Sequence, residues 1–375
     1  MTHCLKVTGV AAASLAFVFL LVGRAAAQDP SGDPAPDPQD PPAEEAVAEP
    51  PVAPEPLDPE STLGDLLVLL GEARPSHWIE PTPDRIRQGG EIVLSGRTTD
   101  DDGRPSKVAS PGFLCTDCHT VDREDPDLRV ADPDARLDYV MQTGQPFLPG
   151  TTLWGVVNRR SWFNDDYIKK YGTLVKPANE SLREAVFLCA AECSQGRLLL
   201  DWEVDAILAW LWTVQIRLGD LDLPQQDLDF LAAAVTDPAM HEEARARLQA
   251  GFLPAAPAHL RTAPADRSAG YGNVGDPVRG EALYRTSCLT CHQADKGDPR
   301  GVRGTFPLDD SKASLSMLWR NRASTTNLGF HQVITHGTRP YGVPMAYMPF
   351  FTQERMSDQQ VDDLMAWFRA RLGVQ

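Results

Sequence analysis

The chain has 375 residues, 42% of them hydrophobic, which is enough for ordinary cores in two or three domains. Its 35 Lys and Arg face 52 Asp and Glu, for a net charge of −17. That balance argues against a nucleic-acid binder, whose phosphate contacts need basic stripes. It suits electrostatic steering towards a basic protein patch, and it also serves plain solubility.

Residues 1–27 read as a secretory signal: Lys6 gives a positive start, Val7 to Gly23 is apolar, and Ala25-Ala26-Ala27 fits a small-residue cleavage site. The expected location is therefore the periplasm; left uncleaved, the segment would tether the protein to a membrane. Residues 28–60 are rich in Pro and acid and carry no Lys or Arg, the composition of a disordered linker. Leu63 to Leu70 is a short Leu-rich helix, capped by Ser61 or Thr62 and expected to pack on the domain that follows. A first globular domain with this N-terminal extension is placed at 61–215. Its predicted helices are Arg85 to Leu94, interrupted by Gly89-Gly90, then Asp134 to Gln142, Glu180 to Cys189, and Trp202 to Thr213. Glycines inside the first of these weaken it, which implies that another element comes close there. An aromatic stretch, Trp162 to Tyr171, lies between. Residues 216–275 form a connector with short helices at Leu228 to Val235 and His241 to Leu248. Its His241 and His259 read as surface residues. A second domain, 276–375, opens on Asp276-Pro277, a cap with Pro in the first turn, and closes on a helix from Asp358 to Arg371 behind Ser357.

Each domain contains Cys-x-x-Cys-His: Cys115, Cys118 and His119 in the first, Cys288, Cys291 and His292 in the second. This is the attachment pattern of a c-type haem. Two thiols must reach the two vinyl groups on one porphyrin edge, and the next residue must bring an imidazole under the iron. Two covalently bound haem c groups are expected, with iron ligands His119 and His292. Zinc half-sites and redox dithiols are the competing readings of such spacing. Of the seven cysteines, four are taken by this scheme; Cys4 lies in the signal, leaving Cys189 and Cys193.

The layout resembles class I cytochrome c, twice over, along about 85–215 and 276–375. The resemblance implies a mainly α fold: two helical domains, each wrapped round a covalent haem and joined by a helical, Pro-rich connector. In that family an N-terminal helix Gly meets an aromatic of the C-terminal helix. Gly280 and Tyr284 against Leu364 and Trp367 look like that contact, as do Gly90 and Val93 against Leu208 and Trp210. Met348-Pro349-Phe350 looks like the family's Met-Pro stretch before the last helix, which makes Met348 the expected sixth ligand of haem 2, with Met345 as runner-up. Gly150 to Arg159 resembles the stretch whose Arg meets a haem propionate, which implies that role for Arg159. Pro149 precedes Gly150 rather than following it, so the carbonyl that orients His119 is left open.

The first domain has no Met-Pro at the ligand position; Cys189 and Cys193 stand there instead. The pair could be a disulfide, a site where Cys193 ligates haem 1 as thiolate, or two buried thiols. No feature marks a substrate pocket or a catalytic residue. The expected role is that of a dihaem cytochrome c. It carries electrons between redox partners with basic patches, or serves as the electron-transfer subunit of a respiratory or dehydrogenase complex at a membrane. The alternative is an oxidoreductase acting on a small substrate at haem 1, as in dihaem thiosulfate dehydrogenases, which look similar.

Overall fold

The computed structural model describes residues 55–292, 310–325, 329–338 and 348–374. The expected signal segment, most of the expected linker and Met345 lie outside that set. The described residues are mainly helical, with isolated bridges and no strand among them. All of them belong to one unit, Ala53–Gln375.

In chain order, α1 (Leu63–Leu69) starts at Thr62, whose hydroxyl accepts from the Asp65 N–H. Helix α2 (Pro83–Ser95) has Thr82 as cap and Pro at its first turn, and it stops at Gly96 in the left-handed region, φ 74°. Helix α3 (Pro133–Thr143) repeats this design between Asp132 and Gly144. The short pieces α4 (Ile168–Tyr171) and α5 (Val175–Glu180) lead into α6 (Leu182–Leu188). The chain then widens into a π turn, Cys189–Cys193, before α7 (Asp201–Leu211). The connector holds α8 (Gln225–Ala234) and α9 (His241–Gln249). In the last part α10 (Pro277–Leu283) runs through a second π turn, Tyr284–Cys288, into α11 (Leu289–His292). Helices α12 (Lys312–Arg320) and α13 (Phe330–His336) precede α14 (Asp358–Leu372), whose Ser357 and Gln360 form a reciprocal cap.

Two helix crossings hold together the ends of the two segments that carry Cys-x-x-Cys-His. At the first, α2 meets α7 so closely that a methyl group on Gly89 would stand 2.0 Å from the Ala206 carbonyl oxygen and 2.9 Å from Trp210 Cβ. At the second, α10 meets α14, and a methyl on Gly280 would stand 2.0 Å from the Asp363 carbonyl and 2.8 Å from Trp367 Cβ. In both, a glycine lets the backbones touch and an aromatic four residues further along the partner helix covers the gap. Gly89 makes the closer approach in the first crossing, while a methyl on Gly90 would stand 3.0 Å from the Trp210 ring. Tyr284 packs on Trp367 with centroids 4.6 Å apart.

Three apolar clusters result. One joins α2, α6 and α7 with Val156, Val157 and Val175. A second joins α10, α12, α13 and α14, and it takes in Leu137, Val140 and Phe147 from α3 and the segment after it. A third packs α1 on the connector, through Leu63, Leu66 and Leu70 against Ile216, Leu218, Leu231 and Leu248. Besides the connector, α1 meets the end of the first segment, where the Gly64 N–H donates to Gln215 Oε1 at 3.1 Å and a methyl on Gly64 would stand 2.8 Å from the Trp212 ring. The α1 stripe packs in one cluster with Leu231 and Ala234 of α8 and Ala244 and Leu248 of α9. The end of the linker is ordered too. Leu57 joins that third cluster, and the Pro59 carbonyl accepts from the Gly219 N–H at 2.8 Å.

Candidate functional site

The first motif sits on a single turn, Cys115–Asp117, with the His119 N–H bonded to the Cys115 carbonyl at 3.0 Å. His119 Nδ1 lies 2.6 Å from the Thr151 carbonyl oxygen. A carbonyl can only accept, so Nδ1 carries the proton and Nε2 keeps its lone pair for a metal. The Gly150 N–H in turn donates to the Cys118 carbonyl at 2.8 Å, and a methyl on Gly150 would stand 2.5 Å from His119 Cε1. Gly150 is therefore the cradle of the imidazole. The orienting carbonyl belongs to the residue after it, Thr151. A backbone oxygen does this work whatever the side chain, which is why a missing Pro at this place does not matter.

Arg159 donates from Nη1 to the Thr151 hydroxyl at 3.0 Å, so it sits beside the same loop. Glu124 and Asp125 supply the negative charge around it, and with Glu354 and Arg355 they line one cavity. Burial, reinforced by the like charge of Glu124, pushes the Asp125 carboxyl up to about 6.

In the second motif Cys288 ends the π turn, and α11 carries Cys291 and His292. The two motifs meet: Cys291 Sγ lies 4.0 Å from the Asp117 carbonyl oxygen, and the charge of Cys291 raises the cost of ionising Cys118. Phe147 N–H donates to the Thr286 carbonyl at 3.0 Å, tying the segment before Gly150 to the second π turn. Burial pushes the Cys115 thiol up to about 11 and the Cys288 thiol up to about 12. Thiols held this way are poor thiolates at neutral pH, which argues against a redox dithiol. Among the described residues no three His, Cys, Asp or Glu side chains converge as a zinc site needs. A haem c asks for less: two sulfurs on one porphyrin edge and an imidazole with its distal nitrogen available. The fixed His119 tautomer, the glycine cradle and the buried thiols fit that group.

Residues 275–368 match the family model of cytochrome C oxidase, cbb3-type, subunit III. The C-terminal part of the chain therefore carries a c-type cytochrome domain, with the covalently bound haem c and the electron-transfer role that such a domain implies. No curated protein and no solved structure gives a significant match to the chain. The matched span contains the second motif, the α10–α14 crossing and Met348.

Met348 in the cytochrome domain is fixed through its backbone. Its N–H donates to Thr338 Oγ1 at 2.7 Å, and its carbonyl accepts from the Thr338 N–H at 3.1 Å. At the corresponding place in the first segment, Cys189 and Cys193 are both unbridged thiols. The disulfide reading is thus corrected: the π turn places them in hydrogen-bond contact rather than in a bond. Cys189 is held well above the ordinary thiol range by the hydrogen bond with Cys193 and by burial. Cys193 is held below it by that hydrogen bond, by the Tyr171 hydroxyl and by the Lys170 charge, against burial. The charge of Cys193 also raises the cost of ionising Cys118 in the first motif. Tyr171 Oη lies 3.5 Å from Cys193 Sγ.

The two connector histidines are elsewhere. His259 is exposed and paired with Glu354, and His241 packs beside Gly71. Three features had no sequence signal. His77 is buried between Trp162 and Trp212, at 5.2 and 5.6 Å, with Nε2 on the Val157 carbonyl. Glu124, Arg136 and Arg355 form a buried ion network between the two motif-bearing segments. Lys170 reaches the chain on either side of the Met348 loop. Each joins residues far apart in sequence, beyond the reach of periodicity or spacing.

Proposed function

We propose that the protein is an exported dihaem cytochrome c, carrying electrons between redox partners or serving as the electron-transfer subunit of a membrane-bound complex. The observation that carries this is the meeting of the two Cys-x-x-Cys-His motifs, with Cys291 Sγ 4.0 Å from the Asp117 carbonyl oxygen. Thioether edges held that near each other suit direct transfer between the haems. The repeated glycine-to-carbonyl crossing, at Gly89 and at Gly280, supports a second cytochrome c module in the first segment. The matched family is named for an oxidase subunit, which favours a place in a larger complex.

In this reading His119 and His292 are the proximal ligands, Met348 is the sixth ligand of haem 2, and Cys193 that of haem 1. Arg159 holds a propionate of haem 1. The haem supplies the one-electron chemistry. The chain fixes the His119 tautomer through Thr151, keeps the thiols from water and sets the two ligand fields apart. Thiolate ligation lowers a haem potential and thioether ligation raises it, so electrons would enter and leave at different sites. The negative charge of −17 steers the molecule towards basic patches on its partners.

A second reading, a dihaem oxidoreductase acting on a small substrate at haem 1, draws on the Cys193–Tyr171 pair beside the first motif. Reduced-minus-oxidised spectra under a potential titration distinguish the two. The carrier reading expects two well-separated haem components and fast reduction by a basic redox protein, slowed by salt. Turnover with thiosulfate alone would favour the second reading.

A further inference from the structure

The aromatic stretch Trp162 to Tyr171 was left without a task by the haem assignment. It packs against the core of the first segment, yet its last residues touch the ligand arms of both haems. On one side, the Tyr171 hydroxyl is 3.5 Å from Cys193 Sγ, and the charge of Lys170 also acts on that sulfur. On the other side, Lys170 Nζ donates to the carbonyl of His336, the last residue of α13, and lies 4.0 Å from the centre of the Phe350 ring. Between those two contact points runs the Met348 loop. A methyl on Gly337 would stand 3.1 Å from Lys170 Nζ and 2.3 Å from the Met348 carbonyl oxygen, so the ammonium borders the Thr338–Met348 backbone pair. Tyr167 continues the layer, with centroids 6.4 Å from Tyr171 and 6.0 Å from Phe350.

We infer that Lys170 and Tyr171 are positioning residues that set the sixth-ligand fields of both haems from one helical turn. The inference rests on Cys193 and Met348 being those ligands. As a thiolate, Cys193 has no proton to give, so the Tyr171 O–H donates to the sulfur. A donor on a ligating sulfur withdraws charge from it, weakens its donation to iron and lifts the potential of haem 1. The Lys170 ammonium acts on the sulfur in the same direction. On haem 2 it acts by geometry: it pins the chain before Met348 through the His336 carbonyl and the chain after it through Phe350.

The test uses the full-length, haem-loaded protein and four variants, compared at equal haem content. Cys193→Ser comes first and must change the oxidised spectrum of haem 1; an unchanged spectrum removes the ligand reading and this inference with it. With that ligand confirmed, Tyr171→Phe lowers the haem 1 midpoint potential and leaves haem 2 alone. Lys170→Met lowers the haem 1 potential and, in addition, raises the affinity of haem 2 for exogenous imidazole. Lys170→Arg keeps the cation and returns both values towards wild type. A Tyr171→Phe protein with an unshifted haem 1 potential, in a chain whose Cys193→Ser variant does change the spectrum, overturns the inference while leaving the ligand assignment standing. Loss of fold does not mimic the expected pattern, because Tyr171→Phe moves one haem only.

Discussion

Removing Arg355 should cost far more stability than any surface cation. Its guanidinium meets Glu124 twice, at 2.6 and 2.8 Å, and also donates to the Leu148 carbonyl at 2.8 Å. The side chains are 7% and 1% exposed, so water cannot substitute for either partner. Arg355→Met leaves the Glu124 carboxylate with the Thr152 N–H at 2.7 Å, the Thr120 hydroxyl at 3.3 Å and Arg136 at 3.7 Å. Breaking a buried pair from one side costs about 3–5 kcal/mol. Arg136 remains to offset part of the charge, so a loss of about 3 kcal/mol is expected, the lower end of that range. Chemical denaturation of the haem-loaded protein, followed by tryptophan fluorescence, measures it. Arg104→Met is the control: its pair with Asp102 is 75% and 67% exposed, so it should cost at most about 1 kcal/mol. A loss no larger than the control's would refute the reasoning.

Gly89→Ala and Gly280→Ala each drive a methyl group to 2.0 Å from a backbone oxygen, so the crossing helices must part. Each should cost roughly 2 kcal/mol or more, against little for Gly112→Ala, whose nearest neighbour is 4.0 Å away. The Asp125 carboxyl, raised to about 6 from an ordinary 3.8, is bound more tightly to its proton in the folded chain than in the unfolded one. Its ionisation therefore costs stability as pH climbs from 4 to 7, at most about 3 kcal/mol, and the cost is absent below 4. Asp125→Asn should flatten that fall in a pH series of unfolding curves. Met348→Ala should open haem 2 to imidazole or cyanide and lower its potential, since thioether ligation favours the reduced iron. Should Met345→Ala do this in its place, the ligand is Met345.

The helices were legible because their stop and start signals are local. Asp276-Pro277 and Ser357 open helices as read, whereas Thr82-Pro83 and Asp132-Pro133 start theirs one or two residues ahead of the expected Arg85 and Asp134. Gly89-Gly90 could be read as a close approach because a glycine pair inside an amphipathic helix has few other uses. The motif cysteines and histidines were legible for the same reason: the chemistry fixes their spacing in a few residues. Two things were not. The ion network of Glu124, Arg136 and Arg355 spans 231 residues between its outer members, and charged residues in a strongly acidic chain read as surface by default. The Cys189–Cys193 pair was ambiguous because spacing of four residues suits a bridge, a ligand turn or two thiols. The π turn decides the geometry, and nothing in the sequence announces an extra residue in a helical turn. The Leu-rich helix packs on the connector as well as on the end of the first segment, and only the second contact was expected. Its apolar stripe states that a partner surface exists, not which one.

Everything turns on two covalent haems in one chain, and the intact mass of the denatured, acid-extracted protein tests that most directly. Wild type should retain two haems, and the variant carrying Cys115→Ser and Cys118→Ser should retain one. A single haem on the wild-type chain, or two still bound after loss of Cys115 and Cys118, would contradict the account.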